Sequence, residues 1–72
     1  MDIRKKIGLR IKSLREEKGL SQKDLAYSSD LDRTYIASVE NGKRNISIIN
    51  IEKIANGLNT SVKTFFDDIT FS

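Results

Sequence analysis

The sequence predicts an all-α fold of five short helices with no strand. Two observations support this: apolar residues recur every three or four positions, and residues that begin or end helices separate the apolar segments. The chain has 72 residues without cysteine or histidine, which excludes disulfides, thiolate metal sites and an imidazole base. The length predicts one small domain over residues 1–72, reinforced by close helix packing or by a second subunit.

The first two helices are predicted on either side of Gly19, a residue suited to the left-handed conformation that ends a helix. One face of the first helix carries the apolar residues Ile3, Ile7, Ile11 and Leu14. Ser21 is placed to cap the second helix, and Asp24 three positions later makes a weak capping box. Leu25 and Ala26 form the inner face of this short helix.

The third helix follows a turn at residues 28–30, where each side chain is able to bond to nearby backbone. We expect Leu31 to be buried and Asp32 to cap a helix that continues to Asn41. Gly42 ends it.

The fourth helix is predicted to begin after Ser47 and the fifth near Thr60 or Ser61. Their apolar positions follow helical spacing: Ile48, Ile51, Ile54, Ala55 and Leu58, then Val62 and Phe65. Residues 67–72 are predicted to form a short tail.

Residues 21–41 have the pattern of a helix-turn-helix, two short helices joined by a tight turn. Ala26 supplies the small residue where the helices cross, and three apolar residues lock the second helix: Leu31, Ile36 and Val39. This arrangement leaves four residues outside: Arg33, Thr34, Ala37 and Ser38. Arginine matches the two acceptors of guanine in the major groove, whereas threonine and serine bond to bases or phosphates. An ordinary helical hairpin with a polar exterior has the same pattern.

The order of residues also resembles a known family. The matching positions are Leu20-Ser21-Gln22, Leu25-Ala26, Leu31 to Ile36, Val39 to Asn45, Ile51, Ile54-Ala55, Leu58-Asn59 and Phe65-Phe66. They resemble the lambda repressor/Cro-like (XRE) helix-turn-helix family, with a compact five-helix fold. Within it, Arg33 to Ile36 and Gly42 to Ser47 are most similar to the controller proteins of restriction–modification systems, which are dimeric regulators that bind operator DNA.

The resemblance implies a role for each matching position. Base edges would be contacted by Arg33, Thr34 and Ser38. Backbone or edge contacts with DNA would come from Gln22, Tyr35, Asn41, Lys43, Arg44 and Asn45. Arg15 and Glu40 match a partly buried ion pair between the first and third helices. The chain departs from the family at Asp30, where glycine is usual in the turn, and at the small Ala37, which removes one base contact.

The chain has more apolar residues than so small a core can bury. We expect Ile49, Phe66 and Ile69 to form a two-fold dimer interface through helices over about residues 47–67. Such a dimer would place two recognition helices one turn of DNA apart, roughly 34 Å. Isolated surface apolar residues are the simpler interpretation.

The sequence therefore predicts a cytoplasmic, homodimeric transcription regulator that binds double-stranded DNA and has no enzymatic activity, cofactor, metal, membrane partner or small-molecule ligand. A phage Cro-like repressor and an antitoxin-type regulator fit the same motif. A helical protein–protein interaction module is the alternative from another class. The acidic pair Asp67-Asp68 has no histidine or nucleophile to support catalysis.

Overall fold

A computed structural model describes residues 1–72 as five α-helices and one terminal 3-10 helix. The elements are α1 (Ile3–Glu17), α2 (Gln22–Ser29), α3 (Arg33–Glu40), α4 (Ile48–Gly57), α5 (Val62–Phe66) and the 3-10 helix (Ile69–Phe71). The all-α prediction is confirmed, and the predicted helix order is correct. None of these helices has both the length and the apolar character needed to cross a membrane.

Helix starts follow from local capping. Three serines accept a hydrogen bond from a backbone N–H three residues later: Ser21 from Asp24, Ser47 from Asn50 and Ser61 from Thr64. The Asp24 carboxylate in turn accepts a hydrogen bond from the Ser21 N–H at 2.9 Å, which completes the capping box. Asp32 precedes α3 with extended backbone, but its side chain makes no capping bond. Asp32 is therefore the N-cap residue of α3 as predicted, but the hydrogen bond expected of its carboxylate does not form.

Helix ends follow from residues in the left-handed conformation. Gly19 and Gly42 have φ angles of +69° and +71°, and they end the turns after α1 and α3. Asp30, in the turn position that glycine usually holds in the family, has φ 56° and ψ 43°. Aspartate tolerates this conformation, so the tight turn between α2 and α3 forms despite the departure.

The core is one cluster of twelve buried apolar residues. They are Ile7, Ile11, Leu14, Leu25, Ala26, Ile36, Val39, Ile51, Ile54, Ala55, Leu58 and Phe65. Helix α2 packs against both α3 and α4, while α1 packs against α3. This packing fixes the direction of α3, whose polar face remains outside.

Two isoleucines predicted to face inward lie on the surface. Ile3 is 57% exposed and Ile48 is 66% exposed. Each is the first residue of its helix, so the apolar periodicity continues one turn beyond the part that neighbouring helices cover. Leu31 and Val62 are half-buried at the edge of the core.

The predicted tail over residues 67–72 is instead folded back on α1, and that prediction was wrong. Phe71 packs beside Phe65 and Phe66, with ring centroids 6.2 and 5.0 Å away. Arg10 of α1 donates from Nε to the Phe65 carbonyl at 2.8 Å and from a terminal nitrogen to Asp68 at 3.1 Å. Aromatic packing and this arginine hold the segment against the core.

Candidate nucleic-acid interface

The outer face of α3 begins with two exposed side chains, Arg33 and Thr34, in the first turn of the helix. One turn later on this polar side, Ala37 and Ser38 are half-buried. Ile36 and Val39 point the opposite way and are almost fully buried. The start of α3 therefore presents a guanidinium and a hydroxyl to solvent, whereas Ser38 is less accessible.

The far end of α3 is held by a buried ion pair between Arg15 and Glu40. Arg15 donates to the two Glu40 carboxylate oxygens at 2.7 and 3.0 Å and to the Leu20 carbonyl at 2.8 Å. The side chains are only 11% and 3% exposed. The Glu40 carboxylate raises the pKa of Arg15 above its ordinary value, because it bonds to the charged guanidinium. This bidentate geometry ties α1 to α3.

Gln22, the first residue of α2, joins the same network. Its Nε2 donates to Glu40 Oε1 at 3.2 Å, so one carboxylate holds both Arg15 and Gln22. The side chain of Gln22 is therefore oriented beside α3 before any ligand binds. The spacing in sequence does not show this contact, because the two partners are 18 positions apart.

Tyr35 belongs to a second cluster, on the side of α3 that faces α4. Its hydroxyl oxygen accepts a hydrogen bond from Asn50 Nδ2 at 3.0 Å, and the Arg44 guanidinium carbon lies 5.2 Å from the ring centroid. This distance is typical of a cation–π contact. No sequence pattern singles out Asn50, which follows Ile49 in an apolar stretch of α4.

The loop after α3 carries the remaining predicted contact residues, and all four are exposed: Asn41, Lys43, Arg44 and Asn45. Gly42 permits the turn, because its φ is positive and a Cβ there would lie 2.7 Å from Lys5 Cγ. The Lys43 N–H donates to the Ser38 carbonyl at 3.0 Å, which connects the loop to the last turn of α3. Two cations therefore lie beside the polar face of α3.

The three predicted interface residues differ in their surroundings. Ile49 is 66% exposed and lines a shallow hollow together with Ile48, Glu52 and Val62. Phe66 is half-buried against Phe65 and Phe71, whereas Ile69 is 85% exposed. The structure brings Phe66 and Ile69 to one hollow and Ile49 to another. Ile48 was not predicted to lie on the surface, because its position fits the apolar spacing of the inward face of α4.

In the acidic pair Asp67-Asp68, Asp68 is held by neighbouring side chains and backbone. The Asp68 carboxylate accepts hydrogen bonds from the Thr70 hydroxyl and from the Thr70 N–H, and it also pairs with Arg10. The hydrogen bond from the Thr70 side chain lowers the pKa of Asp68, and the bond from the Thr70 backbone N–H lowers it further. Both bonds stabilise the charged form of the carboxylate. Asp68 thus fixes the 3-10 helix, while Asp67 is exposed.

A helix-turn-helix family model matches residues 11–65, which include α2, the turn, α3 and α4. The chain belongs to the helix-turn-helix family. The resemblance found in the sequence is confirmed. This helix-turn-helix chain is 51% identical over 69 residues to the control protein C.MunI of Mycoplasma sp, an alignment that covers 94% of the chain and 93% of the relative.

Solved structures agree with this assignment. The helix-turn-helix chain superposes on the restriction-modification controller protein C.AhdI from Aeromonas hydrophila with a TM-score of 0.84 at 46% identity, covering 88% of this chain and 96% of that one. A second match is the controller protein C.Esp1396I, solved as a tetramer in complex with its natural 35 base-pair operator. Its TM-score is 0.89 at 45% identity, with 93% of this chain and 88% of that one covered.

Proposed function

We propose that this protein is a sequence-specific, double-stranded DNA-binding transcription regulator of the restriction–modification controller type, acting as a homodimer. The observation that carries the proposal is the exposed pair Arg33 and Thr34 at the start of α3, flanked by the cationic loop of Lys43 and Arg44. A controller protein of the same fold binds operator DNA, with a TM-score of 0.89 to this chain. Residues 1–72 act as one DNA-binding domain.

Binding divides into positioning and base recognition. Lys43, Arg44 and the amides of Asn41 and Asn45 contact phosphates and set the register of α3 on the duplex. Arg33, Thr34 and Ser38 then contact base edges in the major groove, and the arginine favours guanine. Gln22 contacts a neighbouring phosphate from the start of α2, next to the carboxylate that orients it.

Dimerisation supplies the rest of the specificity. Ile49, Phe66 and Ile69 pair with the same residues of a second copy, so that two α3 helices meet successive major grooves roughly 34 Å apart. The operator is then a two-fold symmetric sequence, because each half-site binds one subunit. The family consists of DNA-binding regulators rather than enzymes. Because an operator is the partner, the protein would act in the cytoplasm. No cofactor is needed for this activity.

The experiment that tests the proposal is selection of bound duplexes from a random pool by the purified protein. A symmetric consensus should be enriched, and Arg33→Ala should then weaken binding to it by about 1–3 kcal/mol and relax one base position. Lys53→Ala is the matched control, since Lys53 is an exposed cation on α4.

Two results would contradict the proposal. An interaction module of another class would enrich no duplex. Operator affinity unchanged in the double variant Arg33→Ala/Gln22→Ala would show that another face of the protein contacts DNA.

A further inference from the structure

Asn50 of α4 donates a hydrogen bond to Tyr35, on the side of α3 that faces α4. Its Nδ2 group lies 3.0 Å from the Tyr35 hydroxyl oxygen, and both residues are half-buried. A side-chain amide nitrogen is only a donor, so the tyrosine oxygen is the acceptor in this contact. The O–H hydrogen of Tyr35 is consequently free to bond elsewhere.

The position of Asn50 is itself fixed by the start of α4. Ser47 Oγ accepts the Asn50 N–H at 3.1 Å, which holds the backbone of this residue in the first turn. A capped first turn varies little in backbone conformation, so the amide is presented to Tyr35 from a rigid element. The preceding residue, Ile49, belongs to the proposed dimer interface.

The Tyr35 ring also positions a cation. The Arg44 guanidinium lies over the ring, with its carbon 5.2 Å from the centroid, although Arg44 belongs to an exposed loop. If the Tyr35 ring rotated away from this position, its contact with the Arg44 guanidinium would be lost. The hydrogen bond from Asn50 therefore limits the positions of both the phenol and the guanidinium.

We propose that Asn50 is a positioning residue for DNA recognition. By donating to the Tyr35 oxygen it directs the tyrosine hydrogen toward an acceptor on the DNA, a phosphate oxygen or a base-edge acceptor, and it keeps the ring in place under Arg44. This inference rests on the proposed function. It assigns to the dimer-side helix α4 a direct part in the arrangement of the DNA-facing side chains.

A double-mutant cycle on Asn50 and Tyr35 tests this role. The probe is the consensus duplex selected by the unsubstituted protein, and the measurement is its affinity at fixed salt. Asn50→Ala should weaken binding about 3–10-fold when Tyr35 is present and less than about 2-fold in the Tyr35→Phe protein, which lacks the acceptor oxygen. Asn56→Ala, the same change at an exposed position of α4, should leave affinity unchanged.

Asn50→Asp provides a second variant that preserves the size of the side chain. A carboxylate only accepts, so it would draw the Tyr35 hydrogen inward, away from the DNA. The added negative charge lowers DNA affinity both in the protein with Tyr35 and in the Tyr35→Phe protein. The additional loss of affinity when Tyr35 is present measures the effect of the hydrogen bond. Helical circular dichroism and the melting temperature of each variant verify that the fold is retained.

The possible results separate the two proposals. Equal losses in the Tyr35 and Tyr35→Phe backgrounds, or no loss from either Asn50 substitution, would overturn the positioning role while the selected operator still supports the proposed function. Failure of the unsubstituted protein to enrich any duplex would overturn the proposed function and the positioning role together.

Discussion

Gly8 of α1 lies directly against the carbonyl oxygen of Val39 in the last turn of α3. A Cβ at Gly8 would lie 2.5 Å from that oxygen and 2.6 Å from the carbonyl oxygen of Glu40. Both obstacles are backbone atoms, which have no alternative rotamer. The absence of a side chain at Gly8 therefore sets how closely α1 approaches the end of α3.

Gly8→Ala should destabilise the protein by about 1–3 kcal/mol, because the added methyl group forces the two helices apart. The opposite result is expected from intrinsic preference alone, since alanine in a helix interior is favoured over glycine by about 1 kcal/mol. Urea unfolding measures the difference. Ser13→Ala, at an exposed position of α1, is the control and should change stability little. A more stable Gly8→Ala protein would show that the helices separate without cost.

Removing one partner of the Arg15–Glu40 ion pair should lower the free energy of unfolding strongly, whereas replacing both partners by apolar residues should lower it little. Arg15→Met leaves the Glu40 carboxylate buried without its cation, and we expect a loss of about 3–5 kcal/mol in the free energy of unfolding. The double variant Arg15→Met/Glu40→Leu should regain most of that stability, because neither charge is then buried.

Operator affinity should not recover in this double variant, since Gln22 loses the acceptor that orients it. Denaturant unfolding and duplex binding on the same samples separate the two effects. Full recovery of affinity would mean that the network contributes stability alone.

Ile49→Lys should weaken dimerisation at least about 10-fold, because a buried interface position carries more than about 1 kcal/mol and lysine is unfavourable there. Sedimentation equilibrium measures the dimer constant. Ile3→Lys is the matched control, since Ile3 is a similarly exposed isoleucine on another helix. Equal effects of the two substitutions would place the interface elsewhere.

Acid should destabilise the fold through capping carboxylates. Hydrogen bonds from the side chain and backbone of Arg4 lower the pKa of Asp2 from 3.8 to about 2, and the bond from the Ser21 N–H lowers that of Asp24. A lowered folded-state pKa means that the unfolded chain binds more protons in this range. The stabilisation is therefore complete above the unfolded pKa near 3.8 and is lost as the pH falls through the folded value.

Urea midpoints recorded between pH 6 and pH 2 test this sign. The difference in stability between the unsubstituted protein and Asp24→Asn should shrink as the pH falls, since protonated aspartate and asparagine are both neutral. Ser13→Ala, which changes no titratable group, should keep a constant difference across the same range. A difference that widens toward low pH would contradict the assignment.

Local sequence sets where most of the helices begin and end. Serines 21, 47 and 61 cap their helices, and Gly19 and Gly42 adopt the left-handed conformation expected of them. These features involve residues within four positions of each other, so the local sequence contains both partners. The outward direction of Thr34 was predictable for the same reason, because helical period alone places it across the helix from Ile36 and Val39.

Contacts between groups that are distant in sequence depend on how the helices pack. Gln22 donates to Glu40, Asn50 donates to Tyr35, and Arg10 holds the C-terminal segment that local sequence marked as a tail. Helical period likewise assigned Ile3 and Ile48 to an apolar face but did not show where the covering helices stop. Period specifies the direction of a side chain, whereas burial and pairing depend on the position of other segments. Those positions are set by packing of the whole core.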